Sequence, residues 1–251
     1  ILEEMAQNLY REWFVKFRFP DHRNTRFVAS PLGRIPEGWE VKTMPDAVAV
    51  RPDLPVPKDE QIPFITMGSL SVDSMLLSAT EYRSKASGAR FQNGDTLFAR
   101  ITPCLENGKT GFVQFLPNDK IVACGSTEFI VLRSLSLCPE YVYLMARSDM
   151  FRDNAIKSMS GATGRQRVRE ECFNKFFLTQ PTESILELFE SITRPKFELV
   201  FSLSLRNHNL LQTRDLLLPK LISGDLNVSD LDIEIPEIEE PKLQASAGGM
   251  K

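Results

Sequence analysis

The stretch ARITPCLENGKTGFVQF, Ala99 to Phe115, contains Gly108-Lys109-Thr110 and so carries the end of a mononucleotide-binding loop. Such a loop needs glycines on both sides of four residues before Lys-Ser/Thr, a strand ahead and a helix behind, so that backbone N–H groups wrap the phosphates. Here the first glycine position is Pro103, which has no N–H and a fixed φ. The segment behind, TGFVQFL (110–116), has the composition of a strand, and no apolar run ending in Asp supplies a magnesium partner. The stretch therefore reads as strand, turn, strand, with Asn107-Gly108 as the hairpin turn that this dipeptide favours. A stand-alone nucleotide-dependent enzyme is set aside on the same residues. Outward-facing Arg100, Thr102 and Lys109 are left without a role in a plain turn.

Around this hairpin, FITMGSL (64–70), DTLFAR (95–100), KIVAC (120–124) and TEFIVLR (127–133) also read as strands bounded by Gly, Pro or Asn. PEYVYLMARSDMFRDNAIKSM (139–159) opens on a Pro suited to a first helical position and reads as a helix packed on a sheet. Residues 1–17 read as the end of an amphipathic helix. RFPDHRNTRFVASPLGRIPEGWE (18–40) reads as an extended connector that turns at Pro36-Glu37-Gly38, with Trp39 anchoring a new core. After Pro181, TESILELFESIT reads as a short helix, and Pro195 as the start of a second, longer one that Pro219 and Gly224 end. Phe189, Lys196, Leu203, Leu210 and Leu217 recur every seven residues, with Leu199, Arg206 and Thr213 at the alternate positions, an imperfect seam suited to helix pairing. The fold expected is mixed α+β with a long helical spacer able to pair as an antiparallel coiled coil. Its divisions are 1–18 (end of a preceding helix), 19–38 (connector), 39–181 (globular domain), 182–224 (spacer) and 225–251 (acidic, flexible tail).

Charge is uneven. The net charge is −3, yet Asp225 to Glu240 holds seven acids and no base, leaving +4 on the remainder. SMSGATGRQRVREE, Ser158 to Glu171, sets two glycines and small hydroxyls beside Arg165, Gln166, Arg167 and Arg169. Small residues let backbone approach closely, hydroxyls bond phosphate oxygens, and Arg forks onto phosphate or guanine. The bland alternative is a solvated basic loop paired with Glu170 and Glu171. Aromatic residues do not alternate with these bases, which favours a duplex over a single strand.

Other chemistry finds little footing. Cys104, Cys124, Cys138 and Cys172 form no CxxC pair, and neither His22 nor His208 lies near a cysteine, so no metal and no disulfide are expected. With no Ser or Cys placed beside either His, a nucleophilic triad is not expected. No Asn/Asp-Pro-Pro-Tyr/Phe run for amino-methyl transfer occurs, no glycine-rich loop fits a methyl donor, and Glu81-Tyr82-Arg83-Ser84-Lys85 lacks the spacing of a nuclease metal site. No apolar run reaches membrane-spanning length. Glu3 and Glu4 stand where a signal peptide would be basic, and the Ile start inside a helix suits a piece of a longer protein.

Several segments together resemble the specificity (S) subunit of type I restriction–modification systems: LEEMAQNLYREWFVKFRFP (2–20), LGRIPEGWE (32–40), GDTLFARITPCLENGKTGFV (94–113), GATGRQRV (161–168) and LLQTRDLLLPKLISGDLNV (210–228). The resemblance spans residues 2–228 in order and fits the C-terminal half of such a subunit, with one target recognition domain and the distal spacer helix. It implies a non-catalytic, cofactor-free, cytoplasmic prokaryotic protein that recognises one half of a bipartite double-stranded DNA site. Its partners would be methyltransferase (M) subunits, the restriction (R) subunit through the complex, and a second half subunit by self-pairing. Carried onto this chain, DNA contact falls on Arg100, Thr102, Asn107, Lys109, Ser160, Thr163, Arg165, Gln166, Arg167 and Arg169. Lys109 and Arg169 would take phosphate, and Arg165, Gln166 and Arg167 base edges. Helix pairing and partner docking fall on Leu199, Leu203, Leu210 and Leu217. The alternative is a helix-mediated assembly module that reads no DNA.

Overall fold

The computed structural model describes residues 1–58, 61–77, 81–162, 164–226 and 228. The chain divides into two compact units, Ile1–Leu205 and Arg206–Lys251. The acidic stretch read as a flexible tail lies almost wholly outside the described residues.

The first unit is mixed α and β. Helix α1 (Leu2–Tyr10) runs into a π-helical turn at Arg11–Val15. Strands β1 (Phe27–Ser30) and β2 (Gly33–Pro36) follow as an antiparallel hairpin, so the segment read as a plain connector carries structure of its own. Trp39 is buried, as its reading as a core anchor requires. After it come β3 (Glu40–Thr43), the short α2 (Met44–Ala47), β4 (Val48–Val50), β5 (Ile62–Ile65), β6 (Glu81–Arg83), β7 (Ala89–Phe91), β8 (Thr96–Ala99), β9 (Thr110–Phe112), β10 (Ala123–Gly125) and β11 (Phe129–Ser134). Helices α3 (Pro139–Ala146) and α4 (Asp149–Lys157), strand β12 (Phe177–Gln180) and helix α5 (Glu183–Ser223) complete the order.

Two four-stranded sheets form the centre, ordered β4-β11-β8-β9 and β6-β5-β10-β7, while β12 pairs with β3. The first is antiparallel throughout; in the second only β5 and β10 run parallel. Strand β11 explains the arrangement. Its Ile130 and Leu132 enter the same apolar cluster as α3, and its Phe129 and Val131 enter the cluster shared with Phe91 and Ala123 of the other sheet. A strand covered on both faces reads as a continuous apolar run, which FIVL is. β8 repeats the pattern, with Phe98 on one side and Leu97 on the other.

The single helix expected over 139–159 is two. Ser148 leaves helical geometry (φ −72°, ψ 147°) and its hydroxyl accepts from the Phe151 amide, capping α4. Ser loses little at a cap and competes with the backbone inside a helix, so the break falls there. The two helices expected after Pro181 are instead one, α5. Pro195 is exposed, so the Ser191 carbonyl it leaves without a donor faces solvent, while Phe189, Thr193 and Phe197 carry a buried stripe straight through it. Pro219 does not end the helix either. It ends at Gly224 (φ 80°), whose amide donates to the Leu221 carbonyl (3.3 Å) in the manner of a left-handed cap. Strand ends also differ: β5 stops at Ile65 and gives way to a 3-10 turn at Met67–Ser69, β9 stops at Phe112, and β10 begins at Ala123.

Phe14 stands 4.7 Å from Phe189 and Trp13 5.8 Å from it, ring centre to ring centre, so the entry helix packs against the base of α5. The second unit begins at Arg206 and contains the distal part of α5, whose residues are all exposed.

Candidate nucleic-acid interface

Strands β8 and β9 pair as expected, Thr96 opposite Phe112 and Phe98 opposite Thr110. The link between them is not the two-residue hairpin read from Asn107-Gly108. The chain passes a cis Thr102–Pro103 peptide and winds through a near-helical turn, Leu105 N–H to Ile101 carbonyl (3.0 Å), Asn107 to Pro103 (2.9 Å) and Lys109 to Cys104 (3.0 Å). Buried Leu105 pulls this turn onto the core. Gly108 (φ +77°) ends it, and a Cβ there would stand 2.7 Å from the Arg152 guanidinium. The reading failed because a local turn preference cannot register a buried side chain inside the loop.

The side chains fall differently from their expected places. Lys109 is not a cation at a hairpin tip; half-buried, its Nζ donates to the Met67 carbonyl at 3.2 Å. Thr102 is buried, and its Oγ1 accepts from the Gln166 amide at 3.1 Å. Asn107 is exposed. Arg100 is largely covered and ion-paired rather than free.

The second loop is stapled to the first. Ser160 and Arg167 exchange backbone hydrogen bonds (3.0 and 2.9 Å), the Thr102 amide donates to the Gln166 carbonyl (3.1 Å) and the Val168 amide to the Arg100 carbonyl (2.9 Å). Gly161 (φ 128°) and Gly164 (φ 81°) take backbone conformations that side-chain-bearing residues avoid, which lets the loop fold back on itself. Arg165, Arg167 and Arg169 are exposed, Gln166 is half-buried, and Arg169 Nε donates to Ser160 Oγ at 2.8 Å. Thr163 lies outside the described residues. Two segments singled out separately in the sequence are therefore one surface.

Two residues absent from the sequence reading of this surface, Glu128 and Arg51, complete it together with Glu170, which pairs with Arg51 and Arg100 rather than with the arginines of its own loop. Arg167 grips Glu128 through Nε (3.0 Å) and Nη2 (2.7 Å). Arg100 Nη1 and Arg51 Nη2 both reach Glu170 Oε1 at 2.9 Å. Arg100 Nε stays 3.9 Å from Glu128 Oε2 and has no hydrogen-bond partner among the described residues. The Arg167 guanidinium holds the Glu128 carboxyl below the usual carboxylate range, helped by Arg100 and Arg51. Beyond Arg51, a depression lined by Gly88, Arg90 and Thr127 adjoins a second lined by Arg83, Ser87 and Thr66. A lone glutamate in Ser126-Thr127-Glu128-Phe129 carries no signal of this kind; only the tertiary approach of β8, β11 and the second loop reveals it. No group of three or more His, Cys, Asp or Glu placed to hold a metal occurs among the described residues. Leu199 and Leu203 in the first unit are 45% and 41% exposed, and Leu210 and Leu217 in the second 67% and 41%. Among the described residues, no helix is long and apolar enough to cross a membrane.

No family model matches the chain. It is 25% identical over 244 residues to the type I restriction enzyme MjaIX specificity subunit of Methanocaldococcus jannaschii, covering 92% of this chain and 54% of that one. It is 33% identical over 141 residues to the EcoAI specificity subunit of Escherichia coli, covering 53% and 24%. Among solved structures, the HsdS subunit of Thermoanaerobacter tengcongensis aligns with 90% of this chain and 51% of its own (TM-score 0.44, 16% identity). The type I restriction–modification S subunit of M. genitalium aligns with 75% and 46% (TM-score 0.46, 15% identity). The chain spans about half the length of the MjaIX subunit. By sequence the chain is similar to the type I restriction enzyme specificity subunits.

Proposed function

We propose that the chain recognises one half of a bipartite duplex DNA site as the specificity component of a type I restriction–modification complex, and that it carries out no catalysis itself. One observation carries this reading. Loops sixty residues apart in sequence are stapled together and leave Arg165, Arg167 and Arg169 exposed on one surface. Residues 39–181 act as the recognition domain and 182–224 as a spacer whose leucines dock methyltransferase subunits or a second half subunit, with the restriction subunit joining through that complex. That the similar proteins of M. jannaschii and E. coli are type I specificity subunits supports the same assignment.

The test is duplex binding by the full chain across a salt series. Changing Arg165→Ala together with Arg167→Ala is expected to weaken binding by about 1–3 kcal/mol for each lost base contact, and to lower the slope of log K against log salt by about 1 for each arginine that held a phosphate. Unchanged affinity and slope would remove the loop from the interface. Assembly without DNA reading is favoured by the exposed leucines alone; in that case the wild-type chain would co-purify with methyltransferase and bind no duplex at low salt. Mapping the methylated positions made by the co-purified complex identifies the half-site.

A further inference from the structure

We propose that Glu128 and Glu170 are built-in counter-anions which occupy Arg51, Arg100 and Arg167 until duplex arrives, so that binding is an exchange of arginine partners and non-specific duplex is held off. This rests on the DNA reading above. The geometry separates the carboxylates from the arginines by how tightly each is held. Glu128 sits in a closed turn: its amide donates to Ser126 Oγ (3.2 Å), and its carbonyl accepts from the Arg100 amide (3.0 Å). These bonds anchor its backbone beside the loop, where Arg167 meets the carboxylate. Arg167 lies on the outer side of the pair, with its side chain 46% exposed against 23% for Glu128, so it is free to turn toward a phosphate while the glutamate stays.

The arginines are not saturated by this arrangement. Three guanidinium groups share two carboxylates, Arg51 and Arg100 converge on one oxygen of Glu170, and Arg100 Nε is unspent. A guanidinium carries five donors, so each retains capacity for a phosphate fork. The cost is electrostatic. A phosphate brought to Arg167 or Arg100 also comes near Glu128 and Glu170, and the partial burial of these groups weakens screening. Duplex that engages only the backbone meets this repulsion without compensation. Duplex that also satisfies Arg165 and Gln166 at base edges offsets it.

Ordinary structural ion pairs predict the opposite result, which makes the idea testable with the full chain and a short duplex of unrelated sequence. Glu128→Gln keeps the side chain's shape and removes its charge. At about 50 mM salt it is expected to tighten non-specific binding roughly three- to ten-fold and to steepen the salt slope by about 1, with Glu170→Gln acting in the same direction. A carboxyl titration gives a second reading without mutation. Glu128 titrates below the usual range while Arg167, Arg100 and Arg51 face it, and duplex binding should shift it upward as Arg167 leaves. If Glu128→Gln binds unrelated duplex no better than wild type, and the Glu128 titration does not move, the counter-anion role is overturned while the DNA reading stands. If wild type and both variants bind no duplex at this salt, both readings fall. Urea unfolding of Glu128→Gln distinguishes weaker binding through loop collapse, which also overturns the role, from a folded domain with altered charge.

Discussion

Asp95 is fully buried, accepts from Arg133 through two hydrogen bonds of 2.7 Å and takes the Gln92 amide at 2.8 Å. Burial pushes its carboxyl up, against the pull of Arg133 and the Gln92 amide, while the same carboxylate holds Arg133 above its ordinary value. The pair ties the entry of β8 to the end of β11 and so fixes β8, the strand that leads into the first loop, against its neighbour. Removing one partner strands the other: Asp95→Ala is expected to cost about 3–5 kcal/mol, at the lower end because Arg133 keeps some solvent access. Urea denaturation measures this, and a loss below about 1 kcal/mol would make the pair a surface-like contact. At this scale the exposed Arg165, Arg167 and Arg169 were legible as a local run of charge. Glu128 and Arg51 were not, because their meaning lies in neighbours far away in sequence.

Among the elements, α5 shows most clearly where local reading stops. A proline inside a helix costs about 3 kcal/mol in lost bonding and steric clash, and Pro195 accordingly reads as a boundary. Burial of Phe189, Thr193 and Phe197 on one stripe outweighs that cost, and the exposed side takes the freed carbonyl. Pro195→Ala should therefore stabilise the first unit, by up to about 3 kcal/mol, since it restores an amide donor without disturbing the stripe. A higher urea midpoint is the expected outcome; an unchanged or lower one would mean that the proline is accommodated without cost. The strand–turn–strand of β8 and β9 was readable because strand-type composition and the bounding glycine, proline and asparagine are local. The shape of its turn was not, because Leu105 is drawn into a core assembled from other elements.

At the scale of the molecule, the distal part of α5 exposes Leu210, Leu211, Leu216, Leu217, Leu218, Leu221 and Ile222. A helix with this much apolar surface is suited to a partner, and the proposed assembly supplies one. Leu210→Asp together with Leu217→Asp is expected to lower association with methyltransferase or a second chain at least a hundred-fold, since each buried leucine contributes about 1.5–3 kcal/mol. Sedimentation and co-purification measure it, and duplex binding at low salt should be retained. Loss of both would assign these residues to folding instead.

The strand-rich centre, the exclusion of a nucleotide loop by Pro103, the basic stretch Arg165–Arg169 and the leucine repeat were all written in the residues, because each depends on residue type and spacing over a few positions. It took the packed chain to reveal that the two loops are stapled into one surface, that Lys109 turns inward to Met67, that α5 runs unbroken through Pro195, and that Glu128 and Glu170 hold the arginines. Those outcomes depend on burial and ion pairing between segments brought together by the packed core, and no local pattern of residues encodes them.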